Sequence, residues 1–280
     1  MSWQFTDDVQ TYAQQTWAML AAHPAQNTVA LTVIENVRAG RRWSPEPMLF
    51  GWYEAPEHPL GAFSMTPPYG LLLADVAAFT VEPLVEALLA RGVEVTGVNG
   101  ETSVAEAFVT AWIERRPTRA VPRRHERLYR LQALLPPRPT RGQPRVADAG
   151  DVSTAVDWFT RFQVEAGAYL VDVEPAVRDR VENGLLWLWE DDDGRLVSMA
   201  GRNRTTAGVA RVGPVYTPPE HRRRGFGAAI TAACTRDALT RDAHEVVLFT
   251  DLSNATSNAI YQQIGYHPLR DHLVVDFLPR

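Results

Sequence analysis

The stretch Glu220-His221-Arg222-Arg223-Arg224-Gly225-Phe226-Gly227 follows an apolar run from Val209 to Thr217 and precedes a predicted helix. A strand, a glycine-containing turn and a helix in this order predict a helix N-terminus with several backbone N–H groups that have no intrahelical partner. Such groups lie near the positive end of the helix dipole and bind phosphate oxygens well. The stretch therefore predicts an anion-binding loop. A basic surface turn capped by glycine is the simpler alternative.

Other glycine-rich phosphate loops require residues that this chain lacks. All 28 basic residues are Arg and none is Lys, which excludes the lysine of a P-loop, of a Schiff base and of a kinase. A dinucleotide fingerprint is also missing, because Gly225-x-Gly227 has no third glycine at the required spacing. What remains is a loop that uses backbone amides and arginines.

A resemblance to a known family rests on two motifs. The spacing Arg-x-x-Gly-x-Gly from Arg222 to Gly227 resembles the pyrophosphate loop of the GCN5-related N-acetyltransferases, the GNAT superfamily. Downstream, Asn254 is followed seven residues later by Tyr261 and then by x-x-apolar-Gly-aromatic, which resembles a second motif of that family. Seven residues are close to two helical turns, so both side chains lie on one helix face. A plain helix cap for Asn254 and a core aromatic for Tyr261 are the alternative interpretations.

The resemblance implies acetyl-coenzyme A (acetyl-CoA) as co-substrate and no metal ion. It implies that backbone amides of the loop hold the diphosphate, that Asn254 contacts the pantetheine, and that Tyr261 is the catalytic acid that protonates the departing thiolate. Backbone N–H groups at the end of the preceding strand bind the acyl carbonyl. The predicted cofactor-binding residues are Val215, Tyr216, Thr217, Arg222, Arg223, Arg224, Gly225, Phe226, Gly227, Asn254 and Ser257.

The composition is that of ordinary globular domains. An apolar content of 45% and a net charge of −5 indicate neither a disordered nor a membrane protein, and 280 residues suit two domains. No apolar run approaches the roughly 20 residues that span a bilayer, and the N-terminus does not resemble a signal peptide. The cytoplasm is therefore the expected compartment. Cys234, the single cysteine, has no partner for a disulfide and is predicted to be a small buried hydrophobe.

The boundary between the domains is predicted from a change of character between Arg115 and Arg145. This segment holds ten of the 28 arginines and is rich in proline. Its residues 128–134 alternate enough to form a strand, which leaves 136–144 as a linker. The arginine density raises nucleic-acid binding as an alternative, but the acidic protein and the lack of interleaved aromatics favour a solvated connector.

The second half predicts an α/β plan. Two helices, a hairpin across Asp191-Asp192-Asp193-Gly194, a strand from Val209 to Thr217, a helix, a buried strand at 246–250, a helix and a last strand at 273–277 follow in order. The three aspartates are expected to form a turn and not a metal site. Gly213-Pro214 interrupts its strand, so a bulge is expected there, with the ligand where adjacent strands part.

The first half repeats this element order loosely. Between Asp75 and Val81, where the loop should lie, stands Ala77-Ala78-Phe79-Thr80, without glycine or cation. The fold class is therefore α/β, with two tandem GNAT-like domains, each a central mixed sheet flanked by helices. The predicted boundaries are 1–135 for a degenerate domain without the cofactor loop, 136–144 for the linker, and 145–280 for the acetyltransferase domain.

The implied function is acetyl transfer to a small-molecule or peptide amine, by direct attack on the thioester in a ternary complex. Glu165 and Glu220 are candidate bases, but no spacing distinguishes them. A non-catalytic acyl-CoA-binding regulator is the alternative from another class. Neither a membrane nor nucleic acid is expected as a partner, and the sequence does not indicate the acceptor or the oligomeric state.

Overall fold

The computed structural model describes residues 1–279 and divides into two compact units. Unit 1 comprises Met1–Glu126 together with the segment that begins at Arg270, and unit 2 comprises Arg127–Leu269. The predicted boundaries differ from this division, because they assign the C-terminal segment to the second domain. Arg280, also part of that predicted domain, lies outside the described residues.

Unit 1 contains both helices and strands. They are β1 (Ser2–Thr6), α1 (Val9–Ala22), α2 (Thr28–Arg38), β2 (Leu49–Glu54), β3 (Ala62–Met65), β4 (Leu71–Ala74), α3 (Val81–Ala90), β5 (Gly97–Glu101), α4 (Thr102–Arg115) and β6 (Thr118–Leu131), whose last five residues belong to unit 2.

The sheet of unit 1 has the order β1-β2-β3-β4-β5-β12, where β12 (Tyr266–Pro279) is the C-terminal strand. The register of β12 with β5 is antiparallel and runs from His272 opposite Glu101 to Asp276 opposite Gly97. The last strand predicted at 273–277 is part of β12, and these residues pair with β5 of unit 1 although they follow the elements of the second half. A Cβ at Gly97 would lie 2.5 Å from the carbonyl oxygen of Val275, so the neighbouring strand requires glycine there.

Unit 2 contains the elements on which the predicted site depends. They are β7 (Gln143–Val146), α5 (Val152–Glu165), α6 (Glu174–Glu182), β8 (Leu186–Glu190), β9 (Leu196–Arg202), β10 (Val209–Tyr216), α7 (Phe226–Arg241), β11 (Glu245–Asp251) and α8 (Ala255–Gln263). The strand order is β6-β11-β10-β9-β8-β7. One hydrophobic cluster contains side chains of α7 and α8, and another contains side chains of α5 and α6.

Strand β10 leaves its neighbours at its C-terminal end. Its antiparallel register with β9 shifts by one residue between Val212 and Val215, which confirms the bulge predicted from Gly213-Pro214. Its parallel register with β11 ends where Val212 lies opposite Leu248, although β10 continues to Tyr216. The two parallel strands therefore part at their carboxyl ends, as the α/β plan predicts.

The arginine-rich segment is a strand over most of its length and not a solvated connector. β6 extends from Thr118 to Leu131, and its Arg130 forms an ion pair with Glu245 at 3.5 Å. The predicted linker at 136–144 overlaps β7, and the indole of Trp189 donates to the carbonyl oxygen of Arg141 at 2.8 Å. An ion pair with a neighbouring strand is compatible with arginine in a sheet.

Candidate active site

The loop before α7 has the conformation of an anion-binding helix start. Gly225 is the N-cap of α7 with φ of +86°, a region that favours glycine, and Arg223 has φ of +61°. No side chain of the described chain caps this helix. The first intrahelical hydrogen bond joins the amide of Ala229 to the carbonyl of Gly225 at 3.1 Å. The preceding N–H groups of α7 are thus available to an external acceptor.

The two glycines of the loop have different structural reasons to be glycine. A Cβ at Gly225 would lie 2.5 Å from Oγ1 of Thr140, and the positive φ would be strained as well. A Cβ at Gly227 would meet Oγ1 of Thr217 at 3.7 Å, an ordinary contact, within a helix that any residue can adopt. Packing therefore requires glycine at 225 but not at 227.

The three arginines of the loop differ in their contacts. The guanidinium of Arg222 donates to the carbonyl of Thr217 at 2.9 Å and to the Glu165 carboxylate at 2.5 Å. The guanidinium of Arg224 lies 4.9 Å from the ring centroid of Phe226, and Arg223 is exposed. Arg223 and Arg224 are placed beside the helix start, whereas Arg222 is engaged by a carboxylate.

The end of β10 is held in place by hydroxyl groups. The hydroxyl of Ser198 on β9 donates to the backbone carbonyl of Tyr216 at 3.1 Å and lies 2.8 Å from the hydroxyl of Thr217. Within the described chain, the register of β11 no longer covers Val215 and its neighbours, so their main chain faces a gap in the sheet. These bonds fix the strand end at which the acyl carbonyl was predicted to bind.

A cluster of Glu165, Tyr216 and Arg222 lies at this strand end, and sequence reasoning missed it as a unit. The phenol of Tyr216 donates to Glu165 Oε1 at 3.0 Å, and the Arg222 guanidinium lies 5.8 Å from the Tyr216 ring centroid. Burial, and next the hydrogen bond to the carboxylate, raise the pKa of Tyr216. Glu220, the other candidate base, is exposed. The one sequence signal for Glu165 was its place at the end of a predicted helix.

Asn254 and Ser257 form the start of α8. The Asn254 side chain accepts from the backbone N–H of Ser257 at 3.0 Å, which is the helix cap named as its alternative interpretation. A residue that the sequence did not single out, Asn258, anchors this helix: it accepts from the Tyr129 hydroxyl at 2.8 Å and donates to the carbonyl of Asp251 at 2.8 Å. The contact of Asn254 with a pantetheine stays a prediction.

Tyr261 lies in a protected environment within the core of unit 2. Its side chain is 8% exposed and belongs to the same hydrophobic cluster as Phe226 at the start of α7. Its ring centroid is 6.3 Å from that of Tyr266. Burial raises the pKa of Tyr261 to about 12, and a hydrogen bond with Ser257 opposes the rise. The phenol is therefore protonated at neutral pH.

Cys234 takes no part in this arrangement. It is fully buried on α7, and burial raises the pKa of its thiol to about 12. The prediction of a small buried hydrophobe is confirmed, since a protonated, enclosed thiol is inert. Among the helices within residues 1–279, none has both the length and the apolar character needed to cross a bilayer.

Sequence comparison identifies the class of domain that this site belongs to. Residues 153–266 match the profile of the Acetyltransferase (GNAT) family, a segment that contains the loop, the diverging strand and Tyr261. This domain therefore belongs to the GNAT superfamily, as the two motifs predicted. No curated protein sequence matches the chain.

Solved structures extend the likeness of fold to the whole chain. A Drosophila protein covers 99% of this chain and 98% of its own at 15% identity, with a TM-score of 0.68. A GCN5-related N-acetyltransferase from Sphaerobacter thermophilus covers 98% and 94% at 16% identity, with a TM-score of 0.62. A tandem GNAT protein from the clavulanic acid biosynthesis pathway covers 99% and 98% at 12% identity, with a TM-score of 0.60. The fold is thus that of two tandem GNAT-like domains.

Proposed function

We propose that unit 2 transfers an acetyl group from acetyl-CoA to the amine of a small molecule or peptide. The observation that carries this proposal is the uncapped start of α7 beside the point where β10 and β11 part. The helix start offers N–H donors to a diphosphate, and the gap between the strands exposes backbone to an acyl group. The family match of residues 153–266 supports acyl transfer from an acyl-CoA.

The residues around the gap suit acetyl-CoA. The amides at the start of α7 would hold the diphosphate, with Arg223 and Arg224 as additional cations. The bare backbone at Gly227 fits a group that must approach the main chain closely. The main chain at 215–217 would bind the acyl carbonyl, a contribution of roughly 3 kcal/mol by comparison with other oxyanion donors. Asn254 and Ser257 would contact the pantetheine.

The reaction is a direct transfer within one site. The amine nitrogen attacks the thioester carbonyl carbon, the carbon–sulfur bond breaks, and the sulfur leaves as a thiolate that takes up a proton. The phenol of Tyr261, with a pKa of about 12, is a weaker acid than a thiol of pKa about 8.5. Complete proton transfer from the phenol to the thiolate is therefore uphill. Tyr261 acts as a hydrogen-bond donor to the developing thiolate, and solvent completes its protonation.

The proton that the amine loses is assigned to Glu165. Its carboxylate lies at the end of β10, where it accepts from Tyr216 at 3.0 Å, and it is 43% exposed, so an acceptor can reach it. Arg222 binds this carboxylate, yet Arg222 also belongs to the loop that is to hold the diphosphate. Movement of Arg222 toward the diphosphate would break its ion pair with Glu165. Binding of acetyl-CoA would then free the Glu165 carboxylate to accept the proton.

A coenzyme A release assay tests the proposed function. The full chain is incubated with acetyl-CoA and a panel of small amines and peptides bearing a free amine, and free thiol is measured against a chain-free control. Amine-dependent thiol release with an N-acetylated product is the expected result. Tight binding of acetyl-CoA without amine-dependent thiol release would contradict catalysis and would support the role of an acyl-CoA-binding regulator. Absence of binding would refute both.

A further inference from the structure

A cavity of about 500 Å³ lies inside unit 1, where β4 ends. Its walls come from the connection between α1 and α2, the ends of β4 and β5, the start of α4, and β12. Cavities of 300 to 1,000 Å³, roughly, hold small organic molecules. The volume is therefore that of a ligand site and exceeds what a bare metal ion needs.

The charged groups of the cavity leave an excess of one negative charge. Asp75 and Glu101 contribute two carboxylates, and Arg270 Nη1 lies 3.9 Å from Oδ1 of Asp75 and 3.1 Å from Oε2 of Glu101. His272 adds no charge at neutral pH, because burial, and next the charge of Arg270, lower its pKa to about 4. One arginine therefore opposes two carboxylates, and a monovalent cation would complete the balance.

The carboxylate of Asp75 is held in place without a ligand. Asn27 donates to Asp75 Oδ2 at 2.5 Å and to the carbonyl of Leu20 at 3.1 Å, so it joins the strand end to the end of α1. Asp75 itself has φ of +48°, a backbone conformation that residues other than Gly, Asn and Asp rarely adopt. Its side chain is 19% exposed. A carboxylate fixed in this way loses little freedom when it binds a cation.

The rest of the cavity wall is mostly apolar, and His23 and Gln26 are its other polar side chains. Ala30, Leu72, Val76 and Val104 line it, and they suit a hydrocarbon body better than a hydrated ion. The segment after β4 lacks the glycine loop of unit 2, so this cavity has no predicted means of holding a diphosphate. These walls therefore support binding of a small ligand without acetyl transfer to it.

We propose that this cavity of unit 1 binds a small aliphatic primary amine, with its ammonium on the cavity side of the Asp75 and Glu101 carboxylates and its hydrocarbon chain against the apolar wall. This site is independent of the active site proposed in unit 2. An ammonium has three N–H donors and matches carboxylates that Asn27 and Arg270 occupy only in part.

Calorimetric titration of the full chain with pentylamine, in the absence of acetyl-CoA, tests the proposal. 1-Pentanol serves as the uncharged ligand of equal length. Asp75→Asn is the central variant, because Asn tolerates the positive φ and should preserve the fold. Glu101→Gln is the second variant, and Glu106→Gln, an exposed carboxylate on α4, is the matched control.

Pentylamine should bind with one site per chain, and 1-pentanol should bind at least tenfold more weakly. Each cavity variant should weaken pentylamine binding by roughly tenfold or more, since each removes a hydrogen bond to a charged group. Glu106→Gln and Glu165→Gln should leave it unchanged, and the latter separates this site from the proposed active site. Equal binding of the amine and the alcohol, or full binding by folded Asp75→Asn, would overturn the proposal.

Discussion

Substitution of Gly227 by alanine separates the fold of the loop before α7 from its proposed ligand. Gly227 is the second residue of α7, and a Cβ there would meet only the hydroxyl of Thr217, at 3.7 Å, an ordinary contact. The substitution therefore places one methyl group on the helix start without strain. If a diphosphate lies on the amides of this turn, that methyl group occupies space the ligand needs.

The two effects have opposite signs and can be estimated. Alanine in place of a helical glycine stabilises by up to about 1 kcal/mol, which raises the melting temperature by roughly 2 to 4 °C in a chain of this size. Displacement of the anion by enough to lose one charge-assisted hydrogen bond costs roughly 1.5 to 3 kcal/mol. The dissociation constant for acetyl-CoA should then rise by roughly 10- to 150-fold.

Calorimetry with acetyl-CoA and thermal unfolding of the free protein measure the two quantities. Acetyl-pantetheine, which lacks the diphosphate, is the ligand control, and its affinity should not change. Gly225→Ala is the contrasting variant: its φ of +86° and the close approach of Thr140 should cost stability, roughly 1 to 2 kcal/mol from the backbone alone. A Gly227→Ala protein that is stabilised yet binds acetyl-CoA with full affinity would refute the placement of the diphosphate.

Three further predictions concern other residues. Tyr261→Phe should lower turnover by about 10²-fold with little change in acetyl-CoA affinity; full turnover, where single-turnover kinetics show that chemistry limits the rate, would exclude the role. Glu165→Gln should lower kcat by roughly 10² to 10⁴, and an unchanged single-turnover rate would reassign the base. Burial lowers the pKa of His272 from 6.5 to about 4 in the folded chain. Below pH 6.5 the unfolded chain therefore binds a proton that the folded chain does not bind, and the free energy of unfolding should fall by roughly 3 kcal/mol between pH 6.5 and pH 4. Denaturant titrations across this pH range should show that the free energy of unfolding of His272→Asn depends less steeply on pH than that of the unsubstituted protein. An equal dependence on pH would contradict the assignment to His272.

The local features of unit 2 were predictable because each has its own sequence signal. The glycine loop and the apolar period that follows it predicted α7, and a continuous apolar run predicted β11. Gly213-Pro214 predicted the bulge, because proline does not donate within a ladder. These signals act over a few residues, so one sequence is sufficient to find them.

Elements that depend on tertiary packing escaped the sequence. The helix α2 is rich in threonine, valine and isoleucine, whose branched side chains lower helix propensity, and it is stabilised by burial of Ala30, Leu31 and Ile34. The strand β5 begins at Gly97, after the apolar residues Val93 and Val95, and its partner β12 approaches the Gly97 backbone closely. In both cases the packing partner overrides the local propensity.

The sequence could not distinguish Glu165 from Glu220 as the candidate base, for a related reason. Glu165 and Arg222 are 57 positions apart, and their contact exists only because the end of α5 lies beside the end of β10. Spacing along the sequence cannot predict a contact between two residues so far apart. Arg222 lies in the loop before α7, and its contact with Glu165 links the charge of the loop to that of the proposed base.

The two units differ in charge at the same place in the fold. The order β4-α3-β5 in unit 1 repeats β10-α7-β11 in unit 2, and the parallel register of β4 with β5 ends where Leu72 lies opposite Asn99, before either strand ends. After β10 the chain continues into an arginine- and glycine-containing loop, which suits an anion, whereas β4 is followed at once by Asp75. Both proposals place a ligand where two parallel strands part, an anion in unit 2 and a cation in unit 1. The few residues that follow β10 or β4 would set this difference in ligand charge, and such loops are where α/β folds place their specificity.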